Sequence, residues 1–133
     1  MEKVALVTGS SSGIGFETSL ALARNGFHTF ATMRDLRKDE KIKQIIEKED
    51  LSIEILELDV DSEESVNRAI KTISQKKGRI DVLVNNAGYG MWGTVEDVSI
   101  DEFKKQFETN FFSIIRLIQI STIHLILQEQ TLN

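Results

Sequence analysis

Short apolar runs and longer stretches with helical spacing take turns along this chain. KVALVT (3–8) is a continuous apolar run, the pattern of a strand buried on both faces. Residues 14–25 carry Phe16, Leu20 and Ala23 at helical spacing, and Gly26 follows as a C-terminal cap. HTFATM (28–33) predicts a second strand, and 38–49 a charged helix whose apolar face is Ile42, Ile45 and Ile46. SIEILEL (52–58) alternates apolar and polar positions, as an edge strand does. Asp61 and Glu64 stand at capping-box spacing before a third helix that Gly78 stops. IDVLVN (80–85) predicts a fourth strand, and Ser99 with Glu102 the capped start of one long final helix.

Strands that alternate with helices predict a parallel sheet with right-handed crossovers and helices on both faces. No residue signature recurs from unit to unit, which sets a solenoid aside. There is no linker and no proline, so residues 1–133 read as one domain or part of one.

Composition adds mainly exclusions. The chain is long enough for one domain with a core and too short for a two-domain enzyme. A net charge of −5 argues against a nucleic-acid partner, which needs a basic patch. Arg37, Lys38, Lys41 and Lys43 cluster, but Asp35, Asp39, Glu40 and Glu47 interleave with them, the pattern of a solvated helix face. With no cysteine there is neither a disulfide framework nor a thiolate metal site. Asp59, Asp61 and Glu63 mimic the start of a calcium loop, but Glu64 replaces its glycine and Ile70 its closing carboxylate; no metal is expected. MEKVALVTG enters a strand pattern at once, so no signal peptide and a cytoplasmic location are expected. Phe111–Leu127 is as long as the shortest membrane spans, yet contains Arg116, Gln119 and His124. A buried or partner-facing helix is the better reading.

The chemistry starts in TGSSSGIG (8–15), between the first strand and the first helix. Its glycines fall at 9, 13 and 15, not in G-x-G-x-x-G order, and no Gly-Lys-Ser/Thr follows to make a P-loop. The physics is common to both. Small residues let backbone approach a phosphate, and a helix N-terminus offers free N–H groups to an anion. The hydroxyls of Ser10, Ser11 and Ser12 are further candidate donors. About 20 residues on, a dinucleotide fold places the group that reads the adenosine ribose. Here that group is Arg34, whose guanidinium suits the 2′-phosphate of NADP. Asp35 beside it keeps NAD as the second choice.

TGSSSGIG, LDV at 58–60, NNAG at 85–88 and Asn110 in ETNFF resemble the short-chain dehydrogenase/reductase family in order and spacing. The resemblance covers residue 3 to about residue 120 and implies a Rossmann-like parallel sheet. By position it implies that Gly9, Ser11, Ser12, Gly13, Ile14 and Gly15 line the pyrophosphate. Arg34 would meet the 2′-phosphate, Asp59 and Val60 the adenine, and Asn86, Ala87 and Gly88 the ribose. Asn110 resembles the helix-embedded Asn that helps to order a proton-relay water. ATMRDL (31–36) is similar to members acting on hydroxysteroids or retinoids. Other readings stand beside these. Asp59 also suits a turn cap before the third helix, and Asn85 and Asn86 suit ordinary turns. Tyr89, Met91 and Trp92 read equally as substrate contacts or as cover for the core. His28 and His124 read as core or surface residues.

The same resemblance implies a Tyr-x-x-x-Lys pair and a preceding Ser for carbonyl chemistry. The one tyrosine is Tyr89, position 93 is Gly, and no lysine follows Lys105. From about Ser121 the chain also departs from the family pattern. The expectation is therefore an interrupted chain: a mononucleotide half in sheet order 3-2-1-4, incomplete on the strand-4 side. Its full-length form would be an oxidoreductase of small-molecule alcohols or carbonyls, and the short chain inactive. The alternative is a non-catalytic NADP-binding or subunit-interaction module. Phe111, Phe112, Ile114, Ile115, Leu117, Ile118, Ile120 and Ile123 surround most of the last helix, which predicts self-association through it.

Overall fold

The structure is a computed structural model that describes residues 1–132, with side chains described as far as Ile126. Its elements run β1 (Val4–Val7), α1 (Gly13–Arg24), β2 (His28–Met33), a 3₁₀ turn (Leu36–Lys38), α2 (Glu40–Glu49) and β3 (Ile53–Glu57). They continue through α3 (Glu63–Lys77), β4 (Val82–Val84), α4 (Ile100–Phe107), a π-turn (Glu108–Phe112) and α5 (Ser113–Leu132). All strand pairs are parallel, in the order β3-β2-β1-β4. This is the Rossmann-like order expected of the sequence, with β1 and β2 central, β1 buried throughout and β2 buried from Thr29 to Met33.

Side-chain alternation along the strands feeds two cores. Val4, Leu6 and Phe30 face α3 and α5, packing with Val66, Ile70, Ile73 and Leu117. Ala31 and Met33 face the other side, where Phe16 and Leu20 of α1 meet Ile42 of α2. Edge strand β3 divides its residues in the same way. Ile53 and Ile55 join the α1–α2 side, while Leu56 joins the α3 side and Glu54 pairs there with Lys76. The polar positions that mark β3 as an edge strand are thus used for an ion pair.

Helix ends follow local chemistry. After α1, Gly26 adopts φ 88°, and its N–H and that of Phe27 reach the carbonyls of Ala23 and Leu22. That is a Schellman ending, which only a left-handed residue permits without strain. Gly78 closes α3 at φ 68°. The Ser99–Glu102 capping box is present at α4. The expected Asp61–Glu64 box is not: Ser62 caps α3 by accepting from the Ser65 N–H. Asp61 is engaged elsewhere, because its carboxylate accepts from Thr109 Oγ1 at 2.7 and 2.9 Å.

The last helix also differs from expectation. It is one helical run, but the π-turn interrupts it where Asn110 sits. By length and composition Ile100–Ile126 could cross a membrane. It also makes tertiary contacts: Leu117 is fully buried in the core beneath the sheet, and Arg116 donates to the Val60 carbonyl at 3.0 Å. The departure in pattern read from Ser121 falls partly on 127–133, whose side chains lie outside the described residues.

Candidate functional site

In a parallel sheet every strand delivers its following loop to the same end. Here those loops enclose a cleft of about 670 Å³. Gly9, Ser11 and Ser12 line it from the first loop, Ile14 from the first turn of α1, Arg34 from the end of β2, Asp59 and Val60 from beyond β3, and Asn86, Ala87 and Gly88 from beyond β4. Of the sequence candidates, Gly13, Gly15 and Asn110 do not line it. Gly15 is buried behind the loop, Gly13 is exposed on it in a left-handed conformation, and Asn110 holds a wall.

The loop is built by close approach. Gly9 has φ 65° and Gly13 φ 61°, the left-handed region that favours glycine. A Cβ on Gly9 would stand 3.0 Å from the Ala87 Cα, and one on Gly15 would collide with the Gly9 carbonyl and the Asn86 amide. Asn86 makes that packing specific. Its Nδ2 donates to the carbonyls of Thr8 and Gly9, both at 3.1 Å. Thr8 Oγ1 in turn accepts from the N–H groups of Asn86 and Ala87, both at 3.0 Å. Asn86 is therefore a strut between β1 and β4, which the turn-residue reading did not contain.

The loop serines separate into two kinds. Ser10 is fully buried; its hydroxyl donates to the Val7 carbonyl at 3.1 Å and accepts from Ser19. It is a structural residue, contrary to the expectation that it offers a donor to the cleft. Ser11 and Ser12 face the cleft. Ser12 stands at the N-cap of α1 with extended backbone, φ −161° and ψ 172°, but its side chain caps nothing.

Charge at the β2 end is arranged more closely than the sequence suggested. Arg34 is exposed on the cleft. Asp35 also lines it, but Oδ1 accepts from Arg37 N and Nε at 3.0 and 2.9 Å, and Oδ2 from Nη2 at 2.9 Å. These hydrogen bonds from Arg37 hold the Asp35 carboxyl down to about 2. Lys38, read from sequence as part of a solvated helix face, precedes α2 and lines the cleft. The 3₁₀ turn accounts for this. Its tighter winding turns a segment that reads as helix toward the site.

At the β3 end Asp59 Oδ1 accepts from the Asp61 N–H at 3.0 Å. The turn-cap role of Asp59 is thus real, and the residue lines the cleft as well. Neighbouring residues of the π-turn then brace both walls. Thr109 holds Asp61, while Asn110 bonds the Tyr89 peptide twice: Nδ2 donates to the Tyr89 carbonyl at 2.6 Å and Oδ1 accepts from its N–H at 3.0 Å. Gly88 lies against this amide, where a Cβ would sit 2.9 Å from Asn110 Oδ1. Tyr89 lines the cleft, whereas Trp92 is 99% exposed and covers no core. Lys105 and Thr109 line the cleft as well and were not foreseen.

A family model described as short chain dehydrogenase matches residues 3–131. A probable short-chain type dehydrogenase/reductase, VdlC, of Helicobacter pylori is 36% identical over 117 residues, which cover 88% of this chain and 41% of the relative. Human retinol dehydrogenase 8 is 39% identical over 121 residues, covering 88% and 38%. Among solved structures, actinorhodin polyketide ketoreductase with NADPH superposes with a TM-score of 0.88 at 26% identity, over 97% of this chain and 49% of that one. A metagenomic short-chain oxidoreductase in complex with NADP gives 0.84 at 27% identity, over 93% and 57%. The chain spans about two fifths of the length of these curated relatives.

Proposed function

Because this chain belongs to the short-chain dehydrogenase family, we propose that it binds a nicotinamide dinucleotide, NADP(H) in preference to NAD(H). We further propose that it is the cofactor-binding portion of an oxidoreductase of small-molecule alcohols or carbonyls. The observation that carries the reading is the convergence of Gly9, Ser11, Ser12, Ile14, Arg34, Asp59, Val60, Asn86, Ala87 and Gly88, from separate loops, on one cleft. The residues fit the group. The loop excludes any Cβ at Gly15, and the first turn of α1 takes no side-chain cap, so its N–H groups suit a diphosphate.

When bound, the dinucleotide would accept the hydride from an alcohol or supply it to a carbonyl. This chain's own residues bind and orient. Gly9, Ser11, Ser12, Gly13, Ile14 and Gly15 form the pyrophosphate cradle. Arg34, with Lys38 beside it, takes the 2′-phosphate; Asp59 and Val60 meet the adenine; Asn86, Ala87 and Gly88 border the ribose. Asn110 is a positioning residue: its amide fixes the loop at Tyr89, and by the family resemblance it helps to order a proton-relay water. ATMRDL and the similarity to human retinol dehydrogenase 8 favour an apolar alcohol as substrate.

Titration of NADP⁺ and NAD⁺ tests the cofactor reading. Arg34→Ala should remove most of the preference, roughly a tenfold change in the ratio of affinities. An unchanged ratio sinks the role of Arg34. A second reading, a binding or subunit-interaction module without chemistry of its own, is favoured by one observation: these 133 residues contain no Tyr-x-x-x-Lys. NADPH oxidation by the chain with a panel of ketones separates the two.

We also propose self-association. Phe107, Phe111, Phe112, Ile115, Ile118 and Ile123 are each 39–57% exposed on α4, the π-turn and α5, opposite the face that Leu117 buries. Phe103, Phe107 and Phe112 with Ile100 also line an apolar hollow of about 500 Å³. Light scattering should show a concentration-dependent mass, and Phe112→Glu with Ile118→Glu should return a monomer; a monomer at all concentrations rules the proposal out.

A further inference from the structure

Arg37 lies outside the cleft, yet it holds a residue that lines it. The chain places two competing recognition groups side by side at the end of β2. The guanidinium of Arg34 suits a phosphate, while a free carboxylate at Asp35 suits a ribose diol and repels a phosphate. Only one of these can prevail at a time.

The 3₁₀ turn decides between them. Arg37 contributes its backbone N–H, Nε and Nη2 to Asp35, so both carboxylate oxygens are engaged by one residue. The Arg37 side chain is otherwise 90% exposed. It packs against nothing that would explain its place, so the contact with Asp35 is what it does. Protonation cannot do the same work, because the Asp35 carboxyl is held near 2 and remains an anion at neutral pH. Only a paired cation removes its charge from the cleft.

We propose that Arg37 is a specificity-determining positioning residue: by pairing with Asp35 it turns a diol-reading carboxylate into a neutral neighbour of the Arg34 phosphate site. This rests on the NADP reading given above. Arg37 does not itself touch the dinucleotide. Its effect passes through Asp35.

A double-mutant cycle on the full chain tests this, with NADP⁺ and NAD⁺ titrated by calorimetry against wild type, Arg37→Ala, Asp35→Asn and the double variant. Arg37→Ala should lower the ratio of NADP⁺ to NAD⁺ affinity by about three- to tenfold, weakening the first and strengthening or sparing the second. In the Asp35→Asn background the same substitution should leave the ratio unmoved. The melting temperature should stay within about a degree of wild type, since an exposed side chain is lost. An equal loss of NADP⁺ affinity in both backgrounds would make Arg37 a direct phosphate ligand and overturn the proposal, as would a ratio insensitive to Arg37→Ala. A wild-type chain without preference, or an Arg34→Ala variant that keeps it, overturns the underlying NADP reading instead.

Discussion

Ser12 and Ser62 hold the same position in two helices of this molecule and are used in opposite ways. Ser62 accepts from the Ser65 N–H and closes the start of α3, as Ser99 does for α4 through Glu102. Ser12 has extended backbone, as those two do, but its hydroxyl accepts from none of its own helix. A cap typically stabilises a helix by about 1 kcal/mol. Helix α1 forgoes that contribution and leaves its first-turn N–H groups without a side-chain cap, as the proposed dinucleotide site requires. It is secured elsewhere: Phe16 and Leu20 are buried, Ser19 bonds the Gly15 carbonyl at 2.8 Å, and Arg24 pairs with Glu49 at 2.7 Å. On the proposed reading, a residue that stabilises and a residue that recognises are the same amino acid at the same helix position.

The strongest way to break this comparison is Gly15→Val. Its branched side chain has to displace the Gly9 carbonyl and the Asn86 amide. Dinucleotide binding should vanish from a titration, and stability should fall by roughly 1–3 kcal/mol from overpacking. Retained affinity would show that the loop is no anion cradle. The stability side of the contrast is read by Ser62→Ala and Ser99→Ala, each costing about 1 kcal/mol in denaturant melts with dinucleotide affinity unchanged. The smallest effect is expected at Ser12. Ser12→Ala should leave stability within about 0.5 kcal/mol of wild type while weakening the dinucleotide a few-fold. A loss of stability matching that of Ser62→Ala would make it an ordinary cap.

The sequence carried the element order because the signals there are local. Apolar runs place β1 and β2, and a glycine stops each of α1 and α3. Most cleft residues were also legible, since loops at one end of a parallel sheet must converge. What escaped depends on partners far along the chain. Asp61 and Ser62 are both good caps by type, and only Thr109, 48 residues later, settles which is free to act. The π-turn is invisible to periodicity for the same reason; Asp61 and Tyr89 hold Thr109 and Asn110 in place. Lys38 was misplaced because a 3₁₀ turn and the first turn of a helix have nearly the same composition. Asp35 looked available because its partner Arg37 looked like one charge among many.

The strand order also has a consequence for how the chain acquires its fold. β1 is made first but sits inside the sheet, and its second neighbour comes far along the chain: Val7 pairs with Val84. At ordinary rates of synthesis β1 emerges on the order of ten seconds before β4. During that interval one apolar edge has no native partner, and contacts so distant in sequence form slowly. No proline is present, so prolyl isomerisation adds no delay of its own. The sheet closes only when β4 reaches β1, and the Asn86 strut can form only after it has.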